Sequence, residues 1–233
     1  MKNITILLGF LFLLAVSLNG QDRKIITVKA GTKVIDYFPV NERFRYPEFI
    51  QGKVMFKSGN FTVTKLNYNI LVGEMQFIQG KDTLAIINAK DISFIQIMQD
   101  TFYFDNGYLE VLTGRDPAIM TVKQFVKLTD KLKEGAYGTK SSTTAVQSYS
   151  GIYDQGGRTN YHLVLQEDLV FSRNTDYYIG NPQSGFSIYK KKNVLKLVPQ
   201  HKSEIEQYLK QNKVDFQSRE DLVRLTTFIG GIR

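Results

Sequence analysis

Lys53-Val54-Met55-Phe56-Lys57-Ser58-Gly59-Asn60-Phe61-Thr62-Val63 decides the fold class. Val54 and Phe56 alternate with Lys53, Met55 and Lys57, the period of two that gives a strand one apolar and one polar face. Ser58-Gly59-Asn60 supplies a tight turn and Phe61 with Val63 resumes the alternation, so the stretch predicts a β-hairpin.

The pattern extends downstream. Leu66, Tyr68 and Ile70 fall on one face and Lys65, Asn67 and Asn69 on the other, out of phase with Phe61 and Val63, which predicts a bend or bulge near Thr64. Met75 and Phe77 lead into the connection Gln79-Gly80-Lys81-Asp82, and Leu84 with Ile86 reopens the alternation. Ile92 to Met98 is apolar on both faces and is expected to be covered on both sides. Asp105-Asn106-Gly107 turns Phe102-Tyr103-Phe104 into Tyr108 to Leu112, and Gly114-Arg115-Asp116-Pro117 turns that strand into Ala118 to Phe125. Residues 50–126 thus read as an antiparallel meander forming a curved sheet or a partly closed barrel.

Residues 21–49 read as an extended N-terminal segment. Residues 127–160 are rich in Ser, Thr, Gly and Lys and are expected to be a mobile loop, the alternative being a segment that orders on a partner. Further strands of the same domain follow in 161–190, at Tyr161 to Leu165, Val170 to Ser172, Asp176 to Ile179 and Phe186 to Tyr189. From 191 to 233 the period becomes helical. Ile205, Tyr208 and Leu209 form one apolar stripe, Asn212 stops that helix, and Ser218 with Asp221 resembles a capping box ahead of Leu222, Leu225 and Ile229. The expectation is a mainly β fold closed by a short C-terminal αα-hairpin, with Val214 and Phe216 as anchors between its helices.

Residues 1–20 have the parts of a cleavable signal peptide: Lys2, an apolar run from Ile4 to Val16, and a small-residue exit through Ser17 and Gly20. That run falls short of the roughly 20 residues needed to cross about 30 Å of hydrocarbon. The sequence therefore predicts export to the periplasm, the outer membrane or the exterior, with no transmembrane segment in the mature chain. There is no cysteine, so neither an acyl anchor nor a disulfide is available; a chain of this length buries a core without one.

The formal charge is +8, one less if Lys2 is removed, with a local run at Lys190, Lys191 and Lys192. A basic surface attracts anions. For an exported protein these are phosphorylated lipid headgroups, anionic glycans or an acidic protein partner rather than nucleic acid, and peripheral membrane contact follows from the same charge. The alternative is a solvated lysine surface kept for solubility.

The two histidines, His162 and His201, are too few for the usual zinc or haem sites. No nucleophile elbow, metalloprotease helix, phosphate loop or calcium loop occurs, so no cofactor is expected. Glu74, Glu110, Glu167 and Asp168 are carboxylates of the type glycosidases use, with nothing to single out a pair. Aromatics are frequent, and Tyr177-Tyr178 joins the lysine run as a candidate partner contact. Asp82-Thr83-Leu84 matches a pattern glycosylated on exported Bacteroidota proteins, which makes Thr83 a candidate O-glycosylation site.

Gly52 to Gly59, Leu66-Asn67-Tyr68-Asn69 with Glu74-Met75-Gln76-Phe77, Gly107 to Leu112 and the tail from Lys191 through Leu225 together resemble a family of secreted Bacteroidota proteins without assigned function. The resemblance implies an envelope setting and transfers no catalytic residues. The leading expectation is a non-enzymatic envelope scaffold that binds a protein partner, such as an outer-membrane assembly. The alternative is a carrier holding an apolar or glycan ligand in a cupped sheet, which requires a cavity. An enzyme acting on glycans stands third.

Overall fold

A computed structural model describes residues 24–134, 140–142 and 164–232. The expected signal peptide, His162 and most of the second half of the polar stretch lie outside them. The chain enters as β1 (Lys24–Val28), passes through two four-residue helices, α1 (Val34–Tyr37) and α2 (Val40–Arg43), and then forms β2 (Ile50–Phe56), β3 (Phe61–Asn69), β4 (Glu74–Gln79), β5 (Asp82–Ala85), β6 (Ile92–Ile97), β7 (Asp100–Phe104), β8 (Tyr108–Arg115) and β9 (Ala118–Glu134). After β10 (Lys140–Ser142), β11 (Asp168–Asn181) and β12 (Gly185–Ile188) complete the strands, and α3 (Lys191–Leu197), α4 (Lys202–Asn212) and α5 (Arg219–Gly231) close the chain.

Among the described residues twelve strands join one sheet, in the order β1-β11-β9-β8-β7-β6-β2-β3-β4-β5, with β10 on β9 and β12 on β11. Every pairing is antiparallel. The sheet is open, with edges at β1 and β5. It is also strongly curled. In a flat sheet β9 and β3, five strand positions apart, would stand about 24 Å from each other. Instead the Val126 N–H donates to the Ile70 carbonyl at 3.2 Å and the Tyr68 hydroxyl to the Gln124 carbonyl at 3.0 Å. The concave face is a cup.

Three apolar clusters fill and cap it. Val54, Leu66, Tyr68, Met75, Ile95, Ile97, Phe102 and Tyr108 fill the centre. Ile26, Val28, Leu169 and Phe171 make a second cluster beneath Phe38, whose ring meets Phe171 edge to face at 5.7 Å. Ala118, Met120 and Ile179 make the third with Val194, Ile205, Leu209, Leu222, Leu225 and Ile229 of the helices. Here Tyr189 places its hydroxyl 2.8 Å from Thr226 Oγ1 and donates to the Leu222 carbonyl at 3.3 Å. Gly114 makes this approach close: at φ +99° a Cβ there would lie 2.3 Å from the Ala118 carbonyl and 2.8 Å from Thr226 Cγ2. No helix among the described residues is long and apolar enough to cross a membrane.

Several local expectations need correction. No bulge occurs at Thr64, since β2 and β3 stay in register from Ile50↔Leu66 to Met55↔Phe61. The phase changes because the cup covers one end of β3 only, leaving Phe61 59% and Val63 49% exposed on the outward side. Asn67 and Asn69 lie on the side opposite Leu66 and Tyr68 yet are buried; the Asn67 amide accepts from the Tyr46 N–H and donates to the Tyr46 and Glu48 carbonyls, binding the segment that crosses from α2 to β2 onto β3. The irregularity falls instead in β6, where Met55 pairs Phe94 and Phe56 pairs Ile92. This puts Ile92, Ile95 and Ile97 all inward and leaves Ser93 and Gln96 exposed, so the strand is covered on one face only.

Residues 21–49 are not simply extended, because β1 pairs β11 and two helical turns follow. The polar stretch begins as strand: β9 runs on to Glu134, since β11 pairs it as far as Leu132 and supplies the apolar residues, Leu169 and Phe171, that β9 lacks. The expected strands at 170–172 and 176–179 are one strand, β11, with a register shift between Val170 and Phe171. Residues 135–139 and 143–160 of the expected loop lie outside the described residues. The C-terminal hairpin, α4 and α5, is preceded by α3, so the tail holds three helices. Ser218 caps α5 by accepting from the Asp221 N–H, while Asp221 reaches back to the Asp215 N–H and not to Ser218, so the box is half reciprocal.

Candidate functional site

β4 pairs β3 only over Leu66–Asn69, and β2 alone pairs the other half of β3. The β4–β5 hairpin therefore leaves the sheet, and a trough of about 990 Å3 opens between it and β2, β3 and β6. Thr64 Oγ1 donates to the Ile78 carbonyl at 3.5 Å across the gap. The floor is the outer side of the central cluster, made by Val54, Phe56, Phe77, Ile86 and Ile92, and Leu84 and Ile78 add to the hairpin wall. Ile87, 89% exposed in the link between β5 and β6, stands at the lip. Thr62, Gln79 and Asn88 offer neutral polar groups. Glu74, which accepts from Gln76 Nε2 at 2.9 Å, is the one charged residue in the lining among the described residues.

A second, smaller cleft of about 260 Å3 lies elsewhere on the concave face, lined by β8, β9, β11, the Asn41–Arg45 segment and the first residue of α5. Arg45 holds Glu110 by both arms of its fork, Nε–Oε2 at 2.8 Å and Nη2–Oε1 at 2.9 Å. Its Nη2 lies 3.5 Å from Asp100 Oδ2, which also accepts from the Tyr46 hydroxyl at 2.7 Å. The Glu110 bond raises the pKa of the Arg45 guanidinium further. Burial first, and then its bond to Asp100, raise that of the Tyr46 phenol. Arg173, Thr175, Tyr177 and Arg219 complete the walls.

The structure separates residues the sequence grouped. Tyr177 and Tyr178 are successive on a strand and so face opposite sides of the sheet. Tyr177 lines the cleft, whereas Tyr178 is on the convex side under the influence of Asp176 and Asp105. Lys190 is the N-cap of α3 and Lys191 and Lys192 open its first turn, all three exposed. Thr83 is exposed on the edge strand β5 and lines the trough. Of the candidate carboxylates, Glu74 and Glu110 line different cavities, and Asp168, next to Glu167, accepts from Lys29 Nζ and the Ala30 N–H. His201 Nδ1 lies 3.1 Å from Glu204 Oε1. Among the described residues no cluster of three His, Asp or Glu could hold a metal.

The sequence reading missed both cavities. Arg45, Arg173 and Arg219 are scattered along the chain and nothing in their spacing links them. The trough did leave a trace, in the apolar doublet Ile86-Ile87 where a polar turn would ordinarily follow a strand. Comparison with known families, curated proteins and solved structures finds no match, so the likeness to secreted Bacteroidota proteins rests on the quoted motifs alone.

Proposed function

We propose that the protein is an exported, non-catalytic carrier that holds an apolar ligand in the trough between β2, β3 and the β4–β5 hairpin. The observation that carries this reading is the trough itself. Its volume is at the upper end of the roughly 300–1,000 Å3 of small-molecule sites, and its apolar floor with a few polar groups at the rim is their usual composition. The address is proposed from Lys2, the Ile4–Val16 run and the exit through Gly20.

The lining also selects. Although the formal charge is +8, none of the described residues that line this cavity is a Lys or Arg. A carboxylate entering it would lose water and gain no partner, at a cost of several kcal/mol when fully enclosed. The ligand is therefore neutral at its buried end, a long alcohol, ester or isoprenoid rather than a fatty acid.

Titration with the neutral fluorescent probe N-phenyl-1-naphthylamine tests this. Saturable enhancement is expected, and Ile86→Asp should weaken it at least tenfold, because it desolvates a charge on the trough floor. Absence of saturable binding by the folded wild type, or an unchanged curve in the variant, removes the carrier reading.

The scaffold reading keeps second place on one observation. Phe61 and Val63 are exposed on the convex side of β3, with Lys53 Nζ 4.2 Å from the Phe61 ring centre. Recovery of a stoichiometric protein partner from native membranes, released by Phe61→Ser, would favour it over the carrier.

A further inference from the structure

Arg45, Arg173 and Arg219 line one cleft in which Glu110 is the single carboxylate. Arg45 is committed to that carboxylate through both arms of its fork. Neither Arg173 nor Arg219 has a carboxylate within ion-pair distance among the described residues. With Glu110 set against Arg45, two guanidinium charges remain unopposed. Folding supplies no reason for either. Arg173 is half-buried in the middle of β11, and Arg219 opens α5, where the helix dipole disfavours a cation.

The donor set specifies what would oppose them. No lysine lines the cleft, and guanidinium groups present planar forks that match the oxygens of carboxylates and phosphates. Thr175 and Tyr177 add hydroxyls beside them, and Asn41 and Gln124 add side-chain amides. We propose that this cleft binds a small dianion through carboxylate or phosphate-monoester oxygens held between Arg173 and Arg219. A dianion cancels the two unopposed charges, and about 260 Å3 admits a small organic acid or a phosphate ester. Burial raises the pKa of the Tyr177 phenol. The cleft shares no residue with the apolar trough, so either site can fail its test while the other stands.

Isothermal titration of the full chain at low ionic strength, with inorganic phosphate in one arm and succinate in the other, decides the matter. Saturable binding of at least one is expected. Arg173→Gln and Arg219→Gln should each weaken it about tenfold, the loss of a charge-assisted contact. Arg219→Lys should weaken it less, and Lys210→Gln, on an exposed residue of α4 outside the cleft, should leave it unchanged. Because Arg219 is exposed, its variants keep the fold, which circular dichroism verifies. Tighter phosphate binding assigns the cleft to phosphate monoesters and tighter succinate binding to carboxylates; both uphold the proposal. Binding of neither anion, or binding reduced as much by Lys210→Gln as by the cleft variants, overturns it.

Discussion

A homologous series of n-alkanols, octanol to tetradecanol, measures the trough more sharply than any single ligand. Each fully buried methylene contributes about 0.8 kcal/mol, which is about fourfold in affinity. The trough is open along one side, so a chain lying in it is covered over part of its surface, and half that figure, about 0.4 kcal/mol or twofold per methylene, is the lower expectation. From octanol to dodecanol affinity should therefore rise between roughly 15-fold and 200-fold. The rise should end when the chain outruns the wall, whose β4 portion from Glu74 to Gln79 extends roughly 20 Å. Displacement of bound N-phenyl-1-naphthylamine reads each affinity. Dodecanoate at about pH 8, fully ionised, should bind at least tenfold more weakly than dodecanol, because its carboxylate loses water and meets no Lys or Arg among the described lining residues. Affinity that does not change with chain length, or dodecanoate binding as tightly as dodecanol, refutes the reasoning.

Two further outcomes concern the frame that holds the sites. Gly114→Ala should lower stability by about 3–5 kcal/mol in urea unfolding, combining left-handed backbone strain with displacement of α5. Gly59→Ala should lose only about 1 kcal/mol, because Gly59 also has positive φ, +88°, but open space around it; equal losses in the two variants would show that α5 does not press on the β8–β9 turn. Burial raises the pKa values of the Tyr46, Tyr108 and Tyr189 phenols. The folded chain therefore keeps protons that the unfolded chain releases above about pH 10, so this contribution is fully present below that pH and is lost as pH rises beyond it. Phenolate absorbance should then show these three ionising only with unfolding, and all thirteen tyrosines titrating together in a protein of unchanged circular dichroism would contradict it.

The hairpins were legible because each of their signals is local; the single meander was not, because β6 pairs β2 and not β5, so two meanders, β2 to β5 and β6 to β9, join side by side. Ser58-Gly59-Asn60 and Asp105-Asn106-Gly107 name their turns, and period two between them names the strands. The helices were legible for the same reason, through the Ile205–Leu209 and Leu222–Ile229 stripes and the Ser218 cap. What failed was inference about burial where the partner is remote. Asn67 and Asn69 carry the alternation of an exposed face, yet the crossing segment at Tyr46 and Glu48 covers and satisfies Asn67. Likewise β9 is too polar beyond Val126 to announce itself as strand, and only β11, some forty residues later, makes it one.

The candidate sites were illegible for a related cause, and it bears on how each should respond to mutation. The trough exists because two strands stop pairing: β3 and β4 hold each other from Leu66 to Asn69 and then part. No residue type encodes a missing ladder, so the site is a property of hairpin geometry, and substitutions in its wall should alter ligand affinity gradually, in proportion to the apolar area they change. The arginine cleft is the opposite case. Its three guanidinium groups are discrete, they arrive from a loop, a strand and a helix start, and two of them have no carboxylate within ion-pair distance among the described residues. Removing either of those two should cost binding steeply while costing the fold little, because an unopposed half-exposed charge stabilises nothing in the unliganded protein. A cleft variant that lost stability in step with affinity would mean that the guanidinium already had an internal partner, and the site would then be occupied by the protein itself.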